Sequence, residues 1–199
     1  FFPFYPMSPA TGVISSVIPY TDRLPVVVEQ AEDEIAAVMM AIGASFAGVR
    51  AMTATSGGGF CLMTEGLGLA AMTETPLVIV NAQRPGPATG LATRTGQADL
   101  LFSVHASHDE FPRFIFAPGT PVEIFETMKR AFHLAEKYQV PAIVLLDQFL
   151  ANSSVTEVNT LSVAPEIERF YEQNNSGSDD DPYLRYALVE GGVSPQRVP

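Results

Sequence analysis

Apolar residues along this chain fall into two kinds of run, short β-branched ones and longer ones at helical spacing, and between residues 26 and 147 the two kinds alternate. Val26-Val27-Val28 reads as a strand. Residues 31–47 read as a helix, because Ile35, Val38, Met39, Ile42 and Phe46 recur at steps of three and four. No charged side chain occurs between Glu34 and Arg50, so this helix is expected to be buried nearly all round, by layers on both sides or by a partner subunit. Residues 50–55 form a second short strand, Ser56-Gly57-Gly58-Gly59 a tight turn, and residues 60–72 a second apolar helix in which Gly66 and Gly68 permit close packing. Residues 76–82, reading PLVIVNA, suit a central parallel strand. After a loop over 83–96 the pattern predicts a short helix over 97–104 and a strand over 114–117. Thr120, Pro121 and Glu123 then start a helix that runs to about Lys137: a capping hydroxyl, a proline at the first helical position and a carboxylate that can reach back to the cap. Residues 140–147 are the last clear strand.

Strands alternating with helices predict an α/β fold, a doubly wound and mostly parallel sheet with helices on both faces. In open sheets of this kind ligands sit outside the carboxyl ends of the strands. The loops after Val28, Thr55, Ala82 and Asp147 are therefore expected to share one edge. The domain is placed at residues 1–158. Periodicity is lost over 159–182, and 174–181 is a polar, acidic loop, so 159–199 is expected to be a linker or tail leading towards a further domain. Both the opening Phe1-Phe2-Pro3 and the closing segment around Ser194-Pro195 read as the ends of a piece of a longer chain.

Composition narrows the partners. A formal net charge of -11 with only 11 Lys and Arg argues against nucleic acid, whose phosphates need clustered cations. No apolar run reaches the roughly 20 residues that cross a bilayer, and no signal-peptide pattern opens the chain, so a cytoplasmic location and no membrane partner are expected. The single cysteine, Cys61, excludes an internal disulfide and cannot alone ligate an iron–sulfur cluster. It reads as core packing, as do Met39 and Met40.

Four groups of residues could carry chemistry. The acids Glu32-Asp33-Glu34 at a helix start either complement the helix dipole or, at Glu34, place a half-buried carboxylate ready to exchange a proton with a ligand nitrogen. The Ser56–Gly59 turn lacks both the lysine of a phosphate loop and the spaced glycines of a dinucleotide fingerprint; it fits better as bare backbone that a flat ring can approach, with Ser56 and Gly57 nearest. Arg84 and Arg94 share one loop, where guanidinium groups match the carboxylate of an anionic substrate or make ordinary surface ion pairs. His105, His108 and Asp109 do not match zinc spacing, and no metal is expected on this chain.

Several stretches together resemble one family: YPMSPAT at 5–11, QAEDEIAAVMMAIGASFAGVRAMTATSGGGF at 30–60, TETPLVIVNAQRPGPATGL at 73–91 and HDEFPR at 108–113. They are similar to the α subunit of 2-oxoacid:ferredoxin oxidoreductases, nearest the 2-oxoglutarate type. The similarity covers nearly all of residues 1–158, with a weaker echo, GVSPQRVP, at 192–199. The resemblance implies CoA-dependent oxidative decarboxylation of a 2-oxoacid, giving an acyl-CoA, carbon dioxide and reduced ferredoxin. It further implies thiamine diphosphate held between two similar domains, this chain gripping the aminopyrimidine. Mg2+ and a 4Fe-4S cluster would belong to a β subunit, and γ and δ subunits could join the complex. By the family's motifs, Glu34 would hydrogen-bond the aminopyrimidine and serve catalysis, and Ser8 and Arg84 would meet the substrate carboxylate; Arg94, later in the same loop and matched to no motif, is the candidate for the distal end of a dicarboxylic substrate. Serine stands at position 8 where the family motif has threonine, keeping the hydroxyl and dropping a methyl. Two rivals remain: the pyrimidine-domain subunit of a non-oxidative thiamine-diphosphate decarboxylase, and a non-catalytic α/β assembly module.

Overall fold

A computed structural model describes residues 1–156, 168–172, 183–194 and 196–198. The chain opens with strand β1 (Phe2–Phe4), helix α1 (Thr11–Val17) and strand β2 (Val28–Gln30). Helix α2 (Glu34–Phe46), β3 (Met52–Thr55), α3 (Gly57–Leu62), α4 (Thr64–Met72) and β4 (Leu77–Gln83) follow. Then come α5 (Leu100–His105), β5 (Phe114–Phe116), α6 (Pro121–Tyr138), β6 (Pro141–Asp147) and α7 (Gln148–Ala151), with two-residue strands β7 (Tyr171–Glu172) and β8 (Gln196–Arg197) in the tail.

All pairings are parallel. The main sheet runs β3-β4-β6-β5, and β1 pairs with β2. Met52 N–H donates to Phe1 O at 3.1 Å and the amino terminus donates to Arg50 O at 2.6 Å, which sets β1 beside β3. The two central strands bury both faces, as the doubly wound reading requires. Val78, Val80, Ala82, Ala142, Val144 and Leu146 pack with α1 and α6 through Ile14, Ala131 and Ala135. Leu77, Ile79, Ile143 and Leu145 pack on the other face with Val38, Ala41, Ile42, Met63 and Leu67. Ile79 and Ile143 are fully buried; trimming either to alanine is expected to cost about 2–5 kcal/mol.

Local chemistry explains where elements begin. Thr120 Oγ1 accepts from Glu123 N–H at 3.2 Å, and the Glu123 carboxylate accepts from Gly119 N–H at 2.7 Å, one residue before the cap. Helix α2 starts at Asp33, whose Oδ1 accepts from Ala36 N–H at 2.7 Å.

Four expectations need correction. Helix α2 is buried on one face only: Glu34, Ala37, Val38, Ala41, Ile42 and Ser45 turn inward, while Ile35 and Phe46 are about half exposed and Met39 is exposed as well. The sheet supplies one covering layer, and no element of the described chain lies over the outer face. Cys61 is exposed, because it sits on the outer side of the six-residue α3, and not in the core. Ser56 to Gly59 is no turn before a helix at Phe60: the helix begins at Gly57 with Ser56 at its N-cap, and a break at Met63 separates it from α4. The short helix expected over 97–104 spans Leu100–His105, since residues 97–99 are engaged elsewhere. Gly66 does what was expected of it, for a Cβ there would come within 2.7 Å of Val38 Cγ1.

The described parts of the tail lie along the amino edge of the sheet. Arg185 pairs with Glu74 at 2.8 Å and also bonds Gln139 Oε1, Arg169 Nη2 donates to Gly48 O at 2.6 Å, and Gln196 Nε2 donates to Phe46 O at 3.2 Å. Gln196 thereby satisfies the last carbonyl of α2 and Arg169 one just past it, and Arg185 Nη2 also donates to Glu74 O at 2.7 Å, just past α4. The acidic loop expected over 174–181 lies outside the described residues. Among the described residues no helix is long and apolar enough to cross a membrane.

Candidate active site

Because every strand of the sheet is parallel, their carboxyl ends face one edge, and the segments that leave β1, β2, β3, β4 and β6 there come together. The acidic triplet divides its labour at this edge. Glu32 is exposed, Asp33 caps α2, and Glu34 is left with 3% exposure and no capping duty. Among the described residues Glu34 Oε1 has no hydrogen-bond partner. A carboxylate oxygen removed from water without a partner is costly unless something else meets it.

Space for that carboxylate comes from Gly59. A Cβ at Gly59 would overlap Thr55 Oγ1 and lie 2.7 Å from both Cγ and Oε1 of Glu34. Thr55, fully buried, faces Met7 Sδ at 3.9 Å, so the loop after β1 closes the same recess. Ser56 is also fully buried, and its hydroxyl is unpartnered among the described residues. Gly57 is approached by Asp99, whose Oδ2 would be 2.6 Å from a Cβ there. Both glycines therefore make room for packed side chains, Gly59 for Thr55 and Glu34 and Gly57 for Asp99.

Arg84 follows directly on β4 and is 8% exposed. Its Nη1 donates to Ser8 O at 2.7 Å, its Nε is unpartnered, and it makes no ion pair among the described residues. A buried guanidinium held by one neutral carbonyl retains its attraction for an anion. Nη2 lies 4.0 Å from where a Gly58 Cβ would stand, which puts the guanidinium beside α3.

The structure thus brings Glu34, Ser56, Gly57, Ser8 and Arg84 to one edge. Ser8 is exposed and reaches Arg84 through its backbone oxygen, not its hydroxyl. Arg94 is exposed, and its side chain makes no hydrogen bond or ion pair among the described residues. His105, His108 and Asp109 are exposed, and no group of three or more His, Cys, Asp or Glu among the described residues could hold a metal ion.

Three further residues of this edge escaped the sequence reading. Asn81 is fully buried in β4 and donates from Nδ2 to Asp99 Oδ2 at 3.1 Å, while its Oδ1 is unpartnered. Gln83 Oε1 accepts from Asp99 N–H at 3.0 Å. The signal was a lone amide inside the apolar run PLVIVNA. Partial desolvation of the otherwise exposed Cys61 thiol pushes its pKa up from its ordinary range, and the Asp99 charge adds to the effect.

Chemically, the recess can share a proton through Glu34 with a ring nitrogen and hold a carboxylate at Arg84. The Glu34 oxygen, buried in the space that Gly59 leaves and unpartnered among the described residues, fits the aminopyrimidine of thiamine diphosphate.

Residues 1–192 match the family described as pyruvate flavodoxin/ferredoxin oxidoreductase, thiamine diphosphate-binding. The chain is 44% identical over 209 residues to the α subunit of 2-oxoacid:ferredoxin oxidoreductase 1 of Sulfurisphaera tokodaii, covering 97% of this chain and 32% of the relative. It is 39% identical over 193 residues to the 2-oxoglutarate synthase subunit KorA of Methanothermobacter thermautotrophicus, covering 97% of this chain and 50% of the relative. Among solved structures it is similar to a 2-oxoglutarate:ferredoxin oxidoreductase from Magnetococcus marinus with 2-oxoglutarate, coenzyme A and succinyl-CoA bound. There the TM-score is 0.87 and the identity 37%, over 100% of this chain and 34% of that one. The chain therefore spans between a third and a half of the length of these relatives.

Proposed function

This chain belongs to the thiamine-diphosphate-binding family of pyruvate flavodoxin/ferredoxin oxidoreductases, and from that membership we propose that it supplies the aminopyrimidine half of an active site that oxidatively decarboxylates a 2-oxoacid. The products are an acyl-CoA, carbon dioxide and reduced ferredoxin. 2-Oxoglutarate is the proposed substrate, in line with the KorA relatives and with the ligand of the Magnetococcus marinus enzyme.

The observation that carries the reading is the Glu34 carboxylate, 3% exposed with an oxygen unpartnered among the described residues, on the same sheet edge as the buried Arg84, which makes no ion pair among them. Thiamine diphosphate supplies the nucleophilic carbon and the electron sink for decarboxylation. Glu34 holds and returns a proton at the aminopyrimidine, where its lack of a protein partner leaves the oxygen available. Arg84 pairs with the 1-carboxylate of the substrate, and Ser8 offers its hydroxyl next to it. Ser56, whose buried hydroxyl has no partner among the described residues, and Gly57 beside it would face the coenzyme at the start of α3. Arg94, free on the loop, turns to the distal carboxylate.

The diphosphate half-site, Mg2+ and the 4Fe-4S cluster are assigned to a β subunit, and γ and δ subunits would complete a cytoplasmic complex. The test is to purify the native complex and assay CoA-dependent ferredoxin reduction over a panel of 2-oxoacids. Fastest reduction with 2-oxoglutarate is expected; aldehyde release without CoA or ferredoxin would overturn the oxidative reading. The isolated chain, lacking the diphosphate half, is expected to bind thiamine diphosphate weakly. Micromolar binding by calorimetry would contradict the division of the site.

A further inference from the structure

Side chains along β4 alternate between the two faces of the sheet, so Leu77, Ile79, Asn81 and Gln83 form one row. The first two lie in the core under α2 and α4; the last two carry amides into equally buried positions at the carboxyl end. Burying an amide is unfavourable unless it is bonded. Both bond to Asp99: Asn81 Nδ2 to its carboxylate at 3.1 Å, and Gln83 Oε1 to its backbone N–H at 3.0 Å. Asp99 stands at the N-cap of α5, where an aspartate ordinarily accepts from the helix's own N–H groups, yet its side chain caps nothing. Its carboxylate is turned to β4 instead.

This grip fixes the far end of the segment that begins with Arg84. Just before Asp99, Gln97 Nε2 donates to Asp147 Oδ2 at 2.7 Å, and Asp147 Oδ1 caps α7 at Leu150 N–H. The segment then closes on itself. Leu91 N–H donates to Pro85 O at 3.0 Å, and Gly96 packs so tightly on Pro85 that a Cβ would lie 2.9 Å from Pro85 N. Holding residues 97–99 therefore holds Pro85, and with it the backbone from which Arg84 projects.

We propose that Asn81, Gln83 and Asp99 are positioning residues that lock the foot of the 85–96 loop and so aim the Arg84 guanidinium at the substrate carboxylate. The inference rests on the proposed role of Arg84 and extends it to residues that do not touch substrate. Moving the foot of the loop changes how well Arg84 meets a carboxylate and leaves Glu34, on α2, in place, so the effect falls on KM more than on kcat.

The test uses the complete complex with Asn81→Ala, Asp99→Ala and Asp99→Asn. Both alanine variants are expected to lose hydrogen-exchange protection over residues 85–98 and to raise the 2-oxoacid KM by about tenfold, with kcat changed far less. Asp99→Asn keeps an acceptor for Asn81 and the N–H for Gln83, so protection and KM should both return towards the parent values. The double alanine variant should be no worse than either single one, because each removes the same contact. Unchanged protection in Asp99→Ala, which alters a half-buried residue and spares the core, would overturn the clamp. So would a KM raised equally in Asp99→Asn. Arg84→Ala, assayed alongside, separates the two ideas: if KM stays unchanged there, the carboxylate role of Arg84 fails, while loop protection still decides whether the clamp exists.

Discussion

The two edges of the sheet handle buried charge in opposite ways. At the amino edge the arginines meet carboxylates: Arg50 grips Glu136 through two 2.9 Å bonds, Arg169 reaches the same group at 3.5 Å, and Arg185 pairs with Glu74 at 2.8 Å. At the carboxyl edge Arg84, more deeply buried than any of these arginines, has a backbone carbonyl, and Glu34 has an oxygen with no partner among the described residues. Balanced charge of the first kind serves stability; unbalanced charge of the second kind is ready for a ligand. Cavity volume alone would have pointed the wrong way. A space of about 410 Å³ opens at the amino edge, lined by Glu74, Arg113, Tyr138 and Gln139 among others. Its charged members are already engaged, Glu74 by Arg185 and Arg113 by Ser103 O and Ala106 O.

Substitutions at the carboxyl edge should therefore damage kinetics, and those at the amino edge stability. The largest effect is expected from Glu34→Gln, which keeps the shape and removes the exchangeable charge: turnover of the complex should fall by about 10²–10⁴-fold with an unchanged thermal midpoint. Near-normal turnover would take Glu34 out of the chemistry. Arg84→Ala should raise the 2-oxoacid KM by about 10–100-fold, the range for losing hydrogen bonds to a charged partner, and Arg84→Lys should recover part of it. Gly59→Ala should press on Glu34 and Thr55, lowering turnover and destabilising the chain by about 1–3 kcal/mol. Across the sheet, Glu136→Ala should cost about 1–3 kcal/mol in denaturant unfolding, because two guanidinium groups lose their acceptor, with KM and kcat retained. A kinetic loss there would erase the contrast between the edges. The smallest effect concerns Cys61. Its raised thiol pKa means little thiolate at neutral pH, so iodoacetamide should label this exposed residue slowly, and Asp99→Asn should speed labelling by removing a negative neighbour. Unaltered labelling would place Asp99 too far away to act on it.

Much of the architecture was legible because it is written in long runs. PLVIVNA and the apolar stretch at 140–147 could be little other than central strands, and Thr120 with Pro121 marks the start of α6. β1 spans three residues, too few to show a period, and its place beside β3 depends on bonds from Phe1 to Arg50 and Met52. For α2, the missing charge along its length was visible, but which side faced the sheet was not. Ala37 and Ala41 are small enough to take the inner face, and Ile35, Met39 and Phe46 are left outside. Glu34 and Arg84 stood out as charges at the ends of apolar elements. Asn81 and Asp99, 18 residues apart, become a unit only when the loop between them folds back.

The central claim is that the buried Glu34 carboxylate faces the aminopyrimidine of thiamine diphosphate. It is tested most directly by an experimental structure of the whole assembly with the coenzyme in place. A Glu34 oxygen within about 3 Å of a ring nitrogen, with the Arg84 guanidinium turned to the bound 2-oxoacid, is the expected result. Finding that side chain turned out to bulk solvent, with the ring seated against other residues, would contradict the account.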